Sequence, residues 1–158
     1  MKKDLVAYFS ASGVTAGLAK RLALAIGADV YEIRPVTPYS ERDLDWTNPA
    51  SRSSIEMKDK SYRPPIIVSD LPDAQTYDRI FVGFPIWWYV APTVVNTFLE
   101  SLDLNGKKII PFATSGSSGM GDTVKELKPS AKGATVTSGK RFSARASEAE
   151  LKSWAESF

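Results

Sequence analysis

The chain has 158 residues, 43% of them hydrophobic and 24% charged, which is typical of one globular domain with a sizeable core. It contains neither Cys nor His, which excludes disulfides, thiolate nucleophiles, imidazole bases and Cys/His zinc sites, so any demanding chemistry is expected from a cofactor. The net charge of +2 is too small to indicate a nucleic-acid partner.

The amino terminus bears on where the protein is found. Lys2 and Lys3 precede an apolar run of five residues, which is too short for the core of a signal peptide. No later segment approaches membrane-spanning length. We therefore expect a cytoplasmic protein without a membrane partner, with a processed precursor as the open alternative.

A strand, a polar turn and a helix form the first strong pattern. The apolar run at residues 5–9 predicts a buried strand, and residues 15–26 have the spacing of an amphipathic helix. The turn at residues 10–15 (SASGVT) lies between them. Unpaired N–H groups and a dipole equivalent to about half a positive charge attract phosphate to the start of a helix. We predict a phosphate site in this turn, held by hydrogen bonds because the turn has no Lys or Arg.

An ordinary helix cap is the alternative explanation of this turn, because Ser and Thr often precede helices that bind no ligand. The turn does not end in the Gly-Lys-Ser/Thr of a Walker A loop, and it lacks the Gly-x-Gly-x-x-Gly pattern of dinucleotide sites. The phosphate prediction therefore depends on support from other loops.

The next segment contains a strand and a long irregular connection. Residues 28–33 alternate like a strand, which completes a βαβ unit with parallel strands. Residues 37–65 form an excursion interrupted by prolines, with a short helix possible at 51–60. We interpret it as a cover over one sheet face, anchored by aromatic side chains including Trp46. The alternative is a lid that uses Tyr39 and the Ser51–Arg52 pair.

The second half of the chain continues the alternation of strands and helices. We predict strands at 79–84, 107–113 and 134–137, with an extension of the last towards 141–142 as an option, and helices at 93–102, 122–127 and 147–157. Together with the first two strands, this predicts a single domain over residues 1–158. Its fold class is α/β, a doubly wound five-stranded parallel sheet between helices.

Three loops that follow strands share one edge of such a sheet, where ligands bind. They are the turn at 10–15, the aromatic loop at 85–89 (PIWWY) and the hydroxyl- and Gly-rich loop at 114–119. A flat ring stacked on the aromatic loop would bury both surfaces, and small polar groups of the third loop suit the edge of the ring. A ligand with a phosphate, a polar chain and a planar ring fits all three loops, which predicts flavin mononucleotide (FMN). A hydrophobic cluster or a dimer contact is the alternative for the aromatic loop, and a flexible loop for the third.

These motifs resemble those of the flavodoxins. Ser10-x-Ser12-Gly13-x-Thr15 is similar to the flavodoxin phosphate loop, while residues 77–88 (YDRIFVGFPIWW) and 111–116 (PFATSG) resemble a bacterial branch of flavodoxin-like FMN proteins. The resemblance covers nearly the whole chain. It implies a three-layer α/β/α, flavodoxin-like fold with strand order 2-1-3-4-5 and FMN at the carboxyl edge of the sheet.

The resemblance also implies the residues that bind the cofactor, whereas it identifies no catalytic residue and no metal ligand. Phosphate would be held by Ser10, Ser12, Gly13, Val14 and Thr15, one side of the flavin ring by Pro85, Trp87, Trp88 and Tyr89, and the other side by Thr114, Ser115, Gly116 and Gly119. Val14 stands where flavodoxins commonly have Asn. The loss of one side-chain hydrogen bond predicts weaker retention of FMN.

The expected function is that of an FMN-binding redox protein. Flavodoxins that carry electrons are strongly acidic, whereas this chain is slightly basic, which leaves room for a flavin-dependent oxidoreductase that passes electrons from NAD(P)H to a small acceptor. No motif identifies the physiological donor or acceptor. The alternative from another class is a non-redox interaction or regulatory domain, and a homodimer could form through Trp46 or Trp88.

Overall fold

Strands and helices alternate along residues 3–115 and 119–158, which are the residues described by this computed structural model. The strands are β1 (Asp4–Tyr8), β2 (Asp29–Glu32), β3 (Arg79–Pro85), β4 (Lys108–Thr114), β5 (Thr135–Val136) and β6 (Lys140–Phe142). The α-helices are α1 (Val14–Ile26), α2 (Arg52–Lys58), α3 (Thr93–Glu100), α4 (Thr123–Leu127) and α5 (Glu148–Ala155). Short 3-10 turns lie at Ala74–Thr76 and Lys128–Ser130.

The strands form one parallel sheet in the order β2-β1-β3-β4-β5, with β6 also paired to β4. The predicted order 2-1-3-4-5 is therefore confirmed. Tyr8 at the end of β1 pairs with Gly83, and Pro85 at the end of β3 pairs with Thr114 at the end of β4. This register brings the carboxyl ends of the three central strands to one edge of the sheet.

The short strand predicted at 134–137 is present as β5, and the optional extension towards 141–142 is a separate segment, β6, rather than a continuation of β5. β5 pairs with Lys108 and Ile109, and β6 resumes opposite Phe112. Pro111 of β4 lies opposite the interruption. Gly139 approaches it closely, since a Cβ added to Gly139 would be 2.9 Å from the Pro111 carbonyl oxygen. Because proline has no N–H to donate to a neighbouring strand, the ladder cannot continue through this point.

Each face of the sheet carries its own hydrophobic core. The alternating side chains of β1 show the division, because Leu5 and Ala7 belong to one core and Val6 and Tyr8 to the other. The first core includes the apolar side of α3 and Leu127 of α4, and the second includes the apolar sides of α1 and α5. The predicted three-layer α/β/α arrangement is thereby confirmed.

Helix boundaries follow the capping signals in the sequence. The Ser147 hydroxyl accepts a hydrogen bond from the Glu150 N–H at 3.1 Å, and Ser51 caps α2 in the same way through Ser54. The short helix predicted within the 37–65 excursion is thus present as α2. Within residues 3–115 and 119–158, no helix has the length and apolar character that a membrane crossing requires.

Candidate functional site

The structure brings the three predicted loops to the same edge of the sheet. Residues 10–15 follow β1, residues 85–89 include the end of β3 and continue past it, and residues 114–119 start at the end of β4. Gly116 of the third loop lies outside the described residues. The other predicted site residues can be placed individually.

The first loop ends in a helix start that no side chain caps. Gly13 occupies the N-cap position of α1 with φ 92°, and the first turn of the helix contains no acidic residue. The Ser10 hydroxyl accepts a hydrogen bond from the Gly13 N–H at 3.1 Å, whereas Ser12, Gly13 and Val14 are exposed. The first N–H groups of α1 thus begin next to an exposed turn, as an anion site requires.

Thr114 connects all three loops by hydrogen bonds. Its hydroxyl lies 2.7 Å from the Thr15 hydroxyl in the first loop, and its carbonyl oxygen accepts a hydrogen bond from the Ile86 N–H in the second loop at 3.1 Å. Thr15 is only 2% exposed, so its side chain serves this buried contact. The Thr15 N–H lies at the helix start, where a phosphate would bind. A contact between a phosphate and the Thr15 hydroxyl stays a prediction.

The aromatic loop contains a tight turn with an unusual backbone. The N–H of Trp87 donates to the carbonyl of Val90 at 2.9 Å, and the N–H of Val90 donates back at 3.2 Å. The two residues between them, Trp88 and Tyr89, have φ values of 48° and 68°. Turns with positive φ at both central positions favour Asn and Gly, and a bulky side chain there costs about 1–2 kcal/mol. Strain of this kind collects at ligand-binding sites.

The residues just after the third loop hold the strained turn in place. The carbonyl oxygen of Tyr89 accepts a hydrogen bond from the Asp122 N–H at 3.1 Å. Gly121 lies so close that a Cβ added to it would be 2.2 Å from this same oxygen, and its φ is 53°. Glycine is therefore required at position 121. The sequence interpretation included Gly119 among the site residues but not Gly121, although a second glycine two residues further on was the available signal.

Trp87 is surrounded by rings from β1 and the excursion. Its ring centroid lies 5.7 Å from that of Phe9 and 5.4 Å from that of Tyr39, both with edge-to-face geometry, and Phe9 and Tyr39 contact each other at 5.6 Å. Tyr39 thereby joins the excursion to the candidate site. The interpretation of Trp46 as an anchor is wrong, because 74% of this residue is exposed.

Arg52 and Glu56 hold Tyr39 in this position. The Arg52 Nε donates to a Glu56 carboxylate oxygen at 2.8 Å, and the Arg52 guanidinium lies 3.8 Å from the centroid of the Tyr39 ring. The Tyr39 hydroxyl donates to the other oxygen of Glu56. Burial and this hydrogen bond raise the pKa of Tyr39 far above its ordinary value, so the phenol stays protonated and keeps donating.

Arg141 is a residue near the site that the sequence interpretation missed. It lies on β6, and its guanidinium donates to the Ser115 hydroxyl at 3.2 Å and to the Ser115 carbonyl at 3.0 Å. It therefore fixes the start of the third loop. Only the pairing of β6 with β4 places Arg141 here, so no local motif could have identified it.

Known proteins are similar to this chain in sequence and in structure. The family model described as Flavodoxin matches residues 3–158. The chain is 43% identical to a provisionally named flavoprotein from Bacteroides eggerthii DSM 20697, with a TM-score of 0.92. The match covers 99% of this chain and 98% of that one. A similarly named protein from Bacteroides uniformis ATCC 8492 is 47% identical, with a TM-score of 0.91 and 98% of both chains covered.

A third structure is more distant. The flavoprotein from Lactobacillus acidophilus NCFM, solved in complex with FMN, is 23% identical, with a TM-score of 0.71 and coverage of 98% of this chain and 99% of that one. At this identity the likeness concerns the fold. No curated protein matches the chain by sequence.

Replacing Tyr89 by Gly tests the strain in the aromatic turn. Because φ at this position is 68° and 68% of the residue is exposed, Tyr89→Gly should relieve strain with little loss of burial. After the extra chain entropy of Gly, we expect the free energy of unfolding without ligand to rise by about 0.5–1 kcal/mol. The measurement is urea unfolding.

Tyr62→Gly is the matched control, because Tyr62 is also exposed but has no positive φ. This variant should lose about 0.5–1 kcal/mol. Equal losses in the two variants would show that the turn at Tyr89 is unstrained.

Arg52→Met tests the buried network, because it leaves the carboxylate of Glu56, which is 6% exposed, without its cation. We expect the free energy of unfolding to fall by about 3 kcal/mol. Arg34→Met is the control, since the Arg34–Asp70 pair is 41% and 53% exposed and should contribute at most about 1 kcal/mol. Adding Glu56→Gln to Arg52→Met should restore part of the loss, and the absence of any recovery would contradict the charge explanation.

Proposed function

This chain belongs to the flavodoxin family, and we propose that it binds FMN and works as a redox protein through that cofactor. The observation that carries the proposal is the position of Thr114, which links the phosphate turn, the aromatic loop and the third loop into one site. The flavoprotein from Lactobacillus acidophilus, which has the same fold and was solved with FMN, supports it.

The phosphate of FMN is assigned to the start of α1. There the helix is uncapped, the turn of Ser12 and Gly13 is exposed, and no acidic residue in the first helical turn would repel an anion. Val14 is 45% exposed and contributes only its backbone. The residues present therefore fit a phosphate bound by N–H and hydroxyl groups.

The flavin ring is assigned to the space between the aromatic loop and the third loop. Trp88 and Tyr89 have exposed rings, and the strain of their turn would be offset by stacking against the cofactor. Ser115, fixed by Arg141, and Gly119 offer small polar groups on the other side. Bound FMN would supply the electron-transfer chemistry, while these residues bind and orient it.

The finer assignment is an oxidoreductase rather than a carrier. The sequence has 20 Lys and Arg residues against 18 Asp and Glu residues. The chain therefore lacks the net negative charge whose electrostatic potential steers a carrier to basic protein partners. We therefore assign NAD(P)H as the donor class and a small molecule as the acceptor.

Titration with FMN tests the binding proposal. Flavin fluorescence should be quenched on binding to the wild-type protein, and Trp87→Ala should weaken binding about tenfold because the ring cluster with Phe9 and Tyr39 is lost. Trp46→Ala is the matched control and should bind FMN as the wild type does.

Riboflavin, which lacks the phosphate, should bind at least about tenfold more weakly. No change in flavin fluorescence at micromolar wild-type protein would refute the proposal.

Reduction by NADH and NADPH tests the finer assignment. In an anaerobic stopped-flow experiment, one of the two should bleach the flavin absorbance of the FMN-loaded protein faster than that of free FMN. If only dithionite reduces the loaded protein, the chain is a carrier, and the binding proposal still holds.

A further inference from the structure

Trp46 and Trp88 line the same pocket beside the aromatic loop. This cavity has a volume of about 330 Å³, and its wall also includes Ser54, Met57, Lys58 and Lys60. Apart from Trp88, the lining residues all belong to the excursion at residues 37–65. Among the described residues, none of the pocket wall comes from the phosphate turn or the third loop, so the pocket lies next to the proposed flavin site and shares Trp88 with it.

The walls of the pocket are suited to a flat ring. Trp46 is 74% exposed and Trp88 is 44% exposed, so both indoles present surface that a planar ligand could cover. Met57, which is buried, adds a polarisable and apolar contact. A volume of about 330 Å³ is at the lower end for small-molecule sites, which limits the ligand to a few fused rings.

The charge of the pocket favours an anion. Two lysines and no acidic residue are among its described lining residues. The Lys60 ammonium lies 3.1 Å from a Glu126 carboxylate oxygen, which partly neutralises it. The Lys58 ammonium lies 3.5 Å from the Pro49 carbonyl oxygen, a neutral group, so this contact does not offset its attraction for an anionic ligand.

We propose that this pocket binds a planar aromatic anion, a carboxylate or sulfonate of a fused-ring compound, stacked on Trp46 and Trp88 with its charge directed to Lys58. A compound of this class that contains a quinone would lie next to the flavin and is the small-molecule acceptor, since a quinone that takes two electrons from reduced FMN and two protons becomes a hydroquinone. That role rests on the proposed function, whereas the binding does not.

Calorimetric titration with anthraquinone-2-sulfonate tests the proposal on both FMN-free and FMN-loaded protein. Trp46→Ala should weaken binding of this probe about tenfold, and Lys58→Gln about three- to fivefold. Neither variant should change the affinity for FMN. Leu24→Ala and Lys128→Gln are the matched controls, because both residues are exposed and neither lines the pocket.

The neutral compound 2-(hydroxymethyl)anthraquinone separates stacking from charge. It should bind more weakly than the sulfonate, and Lys58→Gln should leave its affinity unchanged. Equal binding of the two compounds, with no effect of Lys58→Gln on either, would overturn the anion assignment.

Two further results would overturn the site itself. The first is equal binding of the probe to the wild type and to Trp46→Ala. The second is loss of FMN affinity in Trp46→Ala together with no binding of the probe to the FMN-loaded protein, which would make the pocket part of the flavin site. Failure of the wild type to bind FMN would refute only the proposed function, because the FMN-free protein still reports on the pocket.

Discussion

The hydrogen bonds of Thr114 are the constraint on which the candidate site depends. A residue at the end of β4 bonds through its hydroxyl to Thr15 and through its carbonyl to the Ile86 N–H, so it fixes the first and second loops relative to the third. These contacts are possible only because the parallel register pairs Pro85 with Thr114 and places β1 beside β3. The relative positions of the three loops are therefore determined by the sheet and not by any single loop.

Strain and packing divide the aromatic loop into two parts. Trp87 packs inward against Phe9 and Tyr39, and the two residues after it turn outward in a backbone that favours Asn and Gly. The inner ring depends on the excursion, because Arg52 and Glu56 hold Tyr39 against it. The excursion therefore acts on the site through packing, whatever ligand the outer rings contact.

Local patterns predicted most of this fold, whereas contacts between distant segments limited the rest. The strand, turn and helix at residues 5–26 could be predicted because apolar spacing and a polar turn are local signals, and the resemblance supplied the strand order. The interruption of the last strand could not be predicted, since it depends on which residue of β4 faces Gly139. The contact of Arg141 with Ser115 was missed for the same reason. Trp46 was misjudged because an aromatic residue in an irregular segment has the same sequence signal whether it is buried or exposed.

Consecutive tryptophans have different roles because the turn changes the direction of the chain between them. A single strand conformation would send Trp87 and Trp88 to opposite faces of a sheet, but the chain turns at Trp88 with positive φ, and Trp88 lines the pocket that it shares with Trp46. A turn with Asn and Gly at these two positions would be relaxed, but it would have no indole at position 88. The strain therefore accompanies the indole. The strained turn thus holds an exposed indole beside a second exposed indole and an ammonium group, an arrangement that the proposed ligand would explain.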